Sequence, residues 1–213
     1  MQRIAATLGV LIAITAAAKA DIVMPTSYDT PNGYTGAYTY WDESYSGAGD
    51  TTVDGASLTG GLGDLTDGVV ASDNWFFLES PPGPGPYVGW NIDPTITFHF
   101  ASAVDFETVR IYFDDSDGAG GVSAPSSVAI NGTSFSVADP AGFAPFFVDF
   151  ALSGVPTDQL SIQLMRSNVW VFASEFTFTA RAVPEPASIV MLGTGAVGLL
   201  GYARRRKVSN RAA

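Results

Sequence analysis

Cysteine is absent from all 213 residues, which removes disulfides, thiolate metal sites and cysteine nucleophiles together. Histidine occurs once, as His99, so a centre needing two imidazoles or a cysteine–histidine pair is excluded as well. Basic side chains are nearly missing from the middle of the chain. Between residues 21 and 183 only Arg110, Arg166 and Arg181 are cationic, against twenty Asp and Glu, a net charge of −17. Counterion release on nucleic acid, or attraction to an anionic membrane surface, needs cationic side chains, so both are poor partners. Divalent cations and neutral polymers suit such a surface better. There is also no Gly-x-Ser-x-Gly elbow, no His-Glu-x-x-His and no phosphate-binding glycine loop. A glycosidase needs only two carboxylates, but their abundance here is no evidence for one.

The charge that the middle lacks is gathered at the ends. Arg3 precedes an apolar run from Ile4 to Ala18, and Ala18-Lys19-Ala20 places small residues at the two positions a signal peptidase reads. Fifteen residues are too few for a comfortable membrane span, so residues 1–20 read as a cleaved secretory signal that leaves Asp21 as the new N-terminus. At the other end, Val183-Pro184-Glu185-Pro186 is followed by an uncharged stretch from Ala187 to Ala203. Then come Arg204-Arg205-Arg206-Lys207 and a tail over residues 208–213. As a helix rising ~1.5 Å per residue the stretch 187–203 spans about 25 Å, slightly less than a ~30 Å hydrocarbon core. The basic cluster holds its C-terminal end on the cytoplasmic side. Gly193, Gly195, Gly198 and Gly201 weaken the helix, which suits a temporary anchor.

This order of proline–glutamate–proline turn, short apolar span and basic cluster over residues 182–207 resembles the PEP-CTERM sorting signal of Gram-negative bacteria that export surface proteins alongside exopolysaccharide. The resemblance implies a signal peptidase and an exosortase-type enzyme as processing partners. It also implies transient anchoring in the inner membrane through 187–203, then delivery to the cell surface or extracellular matrix. A plain tail anchor is the alternative.

The exported part has the length of one domain. Residues 21–59 are rich in Gly, Thr, Ser, Asp and Tyr with turn signals at Asn32-Gly33 and Asp54-Gly55, and predict an irregular N-terminal part. Period-two alternation becomes clear from Pro94 onward. Ile96, Phe98 and Phe100 alternate with Thr95, Thr97 and His99, and Val109, Ile111 and Phe113 with Arg110 and Tyr112. Val128 and Ile130 precede Asn131-Gly132, with Phe135 and Val137 beyond, a hairpin signal. Phe146, Val148, Phe150 and Leu152 alternate, as do Leu160, Ile162 and Leu164; Trp170, Phe172, Phe176 and Phe178 close the domain. No amphipathic helix of useful length is visible. The prediction is an all-β antiparallel sandwich over residues 60–181.

Three fragments carry a second resemblance. Leu65-Thr66-Asp67-Gly68 with Asp73-Asn74-Trp75, the pair Asp93 to Phe100 and Val109 to Tyr112, and Ser174-Glu175-Phe176 together resemble discoidin-type domains, the galactose-binding-like jelly rolls. The resemblance implies a glycan-binding or adhesion module and one structural Ca²⁺. Carried over by residue, Asp67 and Glu175 would be its side-chain ligands, Leu65 and Val70 would offer carbonyls, and Asp73 is a further candidate. The run Asp114-Asp115-Ser116-Asp117-Gly118 fails the EF-hand spacing and reads as a mobile, solvated acidic turn.

A sugar site needs an exposed aromatic face with polar groups beside it. Three groups have that composition: Tyr87, Trp90 and Asn91 after the proline-rich segment 81–86; Arg166, Asn168 and Trp170; and Tyr40 with Trp41. Against each stands the tendency of a sandwich to bury its Trp residues. Together these features predict a surface-sorted, non-enzymatic β-sandwich that binds glycan such as exopolysaccharide. The alternatives are a structural matrix protein without a specific ligand and a polysaccharide hydrolase.

Overall fold

The structure, a computed structural model, describes residues 21–79, 84–181, 193–195 and 197–198. The signal peptide 1–20, the motif Val183, Pro184, Glu185 and Pro186, the cluster Arg204, Arg205 and Arg206, and most of the segment 187–203 lie outside the described residues. No helix among the described residues is long and apolar enough to cross a membrane. Ala20–Arg181 make one compact unit.

The described strands are β1 (Asp21–Val23), β2 (Ser27–Pro31), β3 (Ser57–Gly61), β4 (Val88–Trp90), β5 (Thr95–Val104) and β6 (Phe106–Phe113). They continue with β7 (Ser127–Ile130), β8 (Thr133–Ser136), β9 (Phe146–Ala151), β10 (Thr157–Met165) and β11 (Val171–Ala180); one short helix, α1 (Trp75–Leu78), precedes β4. They form two sheets. One runs β1-β11-β6-β9, with β4 also paired to β11, and the other runs β3-β2-β5-β10-β7-β8. Every strand pairing is antiparallel. The result is the all-β, two-sheet core that the alternation predicts.

Alternation determines which side chains meet. Ile96, Phe98 and Phe100 of β5 and Leu160, Ile162 and Leu164 of β10 face Val109, Ile111 and Phe113 of β6 in one apolar core. Phe98 bridges the sheets, its ring 5.0 Å from Phe176 and 4.8 Å from Phe178. Each such side chain contributes about 1.5–3 kcal/mol on full burial, so this layer holds the sandwich without disulfides. The β7–β8 hairpin turns at Asn131 and Gly132, with φ of +47° and +81°, the left-handed pair a tight two-residue turn requires.

Two features depart from the sequence expectations. Residues 21–59 are part of the sandwich: β1 extends the first sheet, and β2 and β3 form an edge of the second. Short strands separated by glycine turns left little alternation there to read. The other feature is a bulge in β11. Ala173 pairs with Phe113 but Glu175 with the adjacent Tyr112, so one extra residue reverses the facing of everything before it. Val171 and Ala173 therefore join Phe176 and Phe178 in the main core, while Phe172 belongs to a separate cluster with Tyr40, Ala71, Tyr87 and Val122. Simple counting by twos puts Phe172 with Phe176 and Phe178. The bulge moves it to a second apolar layer, and the candidate site is built on that layer.

Candidate ligand site: an aromatic pocket among buried carboxylates

Phe172 is the base of a small pocket. Tyr40 packs 4.7 Å from it, and Trp75, the first residue of α1, stands 5.9 Å from Tyr40 and 6.3 Å from Phe172. Trp75 is fixed by its backbone N–H, which donates to Asp114 Oδ2 at 2.6 Å. Trp170, Tyr38 and the backbone at Gly120 complete a cavity of about 100 Å³. A Cβ on Gly120 would lie 2.5 Å from Trp75 Cζ2, so this residue type lets the loop lie flat against the indole. Trp170 is held from the same loop by its N–H to the Gly121 carbonyl at 3.0 Å. Trp75 and Trp170 are half-buried and Tyr38 is 54% exposed, so all three side chains reach the surface. Small-molecule pockets commonly measure about 300–1,000 Å³, which makes this a shallow platform rather than an enclosing cleft.

The first predicted sugar group is not at the surface. Trp90 has no exposed area, and its Nε1 donates to the Pro31 carbonyl at 2.9 Å. Tyr87 is equally buried; its hydroxyl donates to the Asp73 carbonyl at 2.8 Å. The physical reason is β4, a strand paired to the first three residues of β11 and buried at each of its own three residues. Asn91 hydrogen-bonds the Tyr34 carbonyl through its N–H at 2.7 Å. In the second group, Arg166 is engaged with Asp93 at 2.9 Å and with the Val169 carbonyl at 2.9 Å, and Asn168 donates to Ser123 Oγ at 3.2 Å. Trp170 is the member that reaches the pocket. From the third group Tyr40 forms a wall, while Trp41 donates to Asp54 at 2.8 Å. Trp75 and Tyr38 were missed as site residues. Trp75 stands in the Asp73-Asn74-Trp75 fragment, the signal that could have found it.

Carboxylates are buried around this pocket. Glu175 alternates with Phe176 and is itself buried, and one of its oxygens accepts the Gly68 N–H at 2.9 Å, so the early loop and the last strand do meet. Burial and then the nearby Asp67 push the Glu175 carboxyl up to about 8, despite the Gly68 hydrogen bond. Asp67 Oδ1 also accepts the Val69 N–H at 2.8 Å, and the Leu65 carbonyl accepts the Phe176 N–H at 2.9 Å. Val70 is exposed on the same loop, whereas Asp73 lies with Tyr87 and accepts the Asn74 N–H at 2.9 Å. Glu79 is buried with Oε1 on the Tyr87 N–H at 2.8 Å, and burial pushes it up to about 8.

The acidic run after β6 is not a solvated turn. Asp114 and Asp115 are fully buried, Asp114 accepting from Ser116 Oγ at 2.7 Å and from Trp75 N–H. Asp114 is tied to Trp75 of the second apolar layer, which sequence spacing could not show. Burial pushes Asp114 up to about 6. Asp115, Asp117 and Asp139 bring one carboxylate oxygen each within 4.8 Å of the others, a group that could hold a metal ion.

Two antiparallel sheets, with aromatic and acidic loops around the start of the last strand, define an all-β sandwich with a jelly-roll type of core. Residues 25–180 match the family described as "Discoidin domain-containing receptor 1/2, DS-like domain", and the chain belongs to it. Residues 182–207 match the PEP-CTERM protein-sorting motif. No curated protein matches the chain. The motif implies export, processing by an exosortase-type system and sorting to the cell surface, and both matched types are non-catalytic.

Proposed function

We propose that this exported domain is a glycan-binding or adhesion module, and that it holds sugar rings against Tyr38, Trp75 and Trp170. The observation that carries this reading is the pocket itself. Aromatic side chains from three separate segments converge at the surface, where a pyranose can lie, in a family associated with carbohydrate binding. Asn168 stands two residues from Trp170 and is exposed, as a polar neighbour for sugar hydroxyls. A platform this shallow leaves most of a sugar wet, so affinity per site should be weak, about 0.1–1 mM. Many copies on one cell surface would hold a polymer firmly through effective concentration. Exopolysaccharide is the candidate ligand, given the sorting motif.

A structural Ca²⁺ between Asp67 and Glu175 is a second element of the proposal. Its support is a buried carboxylate whose described hydrogen-bond partner is a single backbone N–H, with another carboxylate next to it.

The test is retention of the full-length protein on immobilised host polysaccharide. Trp170→Ala and Tyr38→Ala should each reduce retention several-fold while leaving the melting temperature of the Tyr38 variant unchanged, because Tyr38 is exposed. Retention unaffected by both variants, or no retention of wild type on any glycan of a broad array, gives the matrix protein without a ligand instead.

A further inference from the structure

Asp115 and Asp117 stand just past the end of β6. Asp139 comes from the connection between β8 and β9, which carries the chain from one sheet back to the other. One oxygen from each lies within 4.8 Å of the other two. Calcium holds oxygens at ~2.3–2.6 Å, so ligands on opposite sides of one ion stand about 4.6–5.2 Å apart, and three oxygens this close can share an ion. A second observation is independent of that clustering. Asp115 is fully buried, and its Oδ2 finds no hydrogen-bond partner among the described residues. Its other oxygen is taken by the Asp117 N–H at 3.0 Å.

No cationic side chain among the described residues is paired with this cluster. Among the described residues Arg110 is paired with Asp149, Arg166 with Asp93, Arg181 with Asp105 and His99 with Asp29. A buried carboxylate oxygen lacking a donor and facing two further carboxylates is costly unless a proton or a cation sits among them, and a divalent cation neutralises more of the three charges than one shared proton does. With oxygen donors only, and no Cys or second His in the chain, the ion is a hard one such as Ca²⁺.

We propose that Asp115, Asp117 and Asp139 hold a single divalent cation of the calcium type, and that this ion fixes the glycine wall of the aromatic pocket. The wall is the same loop. Ala119 N–H reaches the Ser116 carbonyl at 2.7 Å and Gly118 N–H the Val122 carbonyl at 2.9 Å, so the turn that carries Asp117 leads directly into Gly120 and Gly121. Gly120 backs Trp75 and Gly121 backs Trp170. An ion that ties this loop to Asp139 therefore orders the backing of both rings. The effect on sugar binding rests on the glycan reading above; the cation site does not.

The experiment is isothermal titration of CaCl₂ into chelator-stripped full-length protein, with tryptophan fluorescence recorded in parallel. Asp139→Asn removes a charge at an exposed position and should not disturb folding. It should abolish one equivalent of calcium, or weaken it roughly tenfold or more. Glu175→Gln should leave that equivalent in place. The calcium-induced change in tryptophan emission should disappear in Asp139→Asn. A wild type that takes up no calcium, or an Asp139→Asn protein with unchanged stoichiometry and affinity, overturns the site. Calcium uptake through Asp139 without any change in emission overturns the link to the pocket. Calcium uptake with that change, but no retention on any glycan, upholds the inference and defeats the glycan reading.

Discussion

Two buried carboxylate centres in this domain are built in opposite ways. Asp42, fully buried, accepts the Tyr28 hydroxyl on one oxygen and the Asp64 N–H at 2.9 Å on the other, while its own N–H donates to Asn32 Oδ1 at 2.9 Å. Asp64 in turn accepts Ser44 Oγ and the Glu43 N–H at 3.2 Å. Neutral donors are supplied for each oxygen, so the centre is closed and its work is to hold loops 32–45 and 62–66 against β2. At Asp115 the donors run out, and two more carboxylates take the place where they would be. Burial alone therefore does not tell a structural acid from a ligand site. The count of donors does.

The largest effect should come from opening the closed centre. Asp42→Ala leaves the buried Tyr28 hydroxyl and the Asp64 N–H without acceptors, at roughly 1–3 kcal/mol each, so a loss of about 3 kcal/mol is expected. Urea unfolding of wild type and variant measures it. A loss under about 1 kcal/mol would show that water replaces the carboxylate and would erase the contrast between the centres.

Next in size is a pH effect. Glu79 is pushed up to about 8 by burial, then by Asp64, Asp114 and Glu43, against the lowering of one hydrogen bond from Tyr87 N–H. Asp42 is pushed up to about 7 by burial first, with Asp64 and Asp67 adding to it and its hydrogen bonds opposing. Both groups hold a proton more tightly folded than unfolded. Their contribution is thus fully present below the unfolded carboxyl range near 4 and is lost as pH rises through 7 and 8. With chelator present, Tm should fall steadily from about pH 5 to about pH 8.5, by about 2–4 °C for each kcal/mol lost. Glu79→Gln should flatten the upper part of that slope. A Tm that rises over the same range would mean these acids are stabilised as anions.

Much of the fold was legible because alternation is a direct consequence of the pleat. Ile96 to Phe100, Val109 to Phe113 and Leu160 to Leu164 are core faces, and Asn131-Gly132 is the turn its residue types require. The site was legible only in fragments. Trp170 and Tyr40 were among the aromatic candidates, and Glu175 was placed against the Asp67 loop. Trp90 and Tyr87 were indistinguishable by composition from surface aromatics, because their burial depends on β4 pairing with a distant β11. A count of two would put Phe172 on the face of Phe176 and Phe178, because a bulge has no signature in such a count. Asp139 is 22 positions beyond Asp117, and only the packing of two connections between the sheets joins them.

The smallest expected effect separates the two centres most sharply, because it differs in sign. In chelator, Asp139→Asn removes one of three clustered like charges, so the variant should match wild type or gain up to about 0.5 kcal/mol. At Asp42 a substitution that removes the charge also removes an acceptor that neutral donors need, so stability falls. With calcium at a hundredfold excess over Kd, wild type should gain about 2.7 kcal/mol from linkage at the Asp115 centre. Asp139→Asn should lack that gain, so the order of the two proteins reverses between buffers. Differential scanning calorimetry of both proteins, with and without calcium, reads the four values directly. If Asp139→Asn is destabilised by more than about 1 kcal/mol in chelator, then Asp139 is supporting the loop without an ion. The second centre would then be structural in the same sense as the first, with donors yet to be identified.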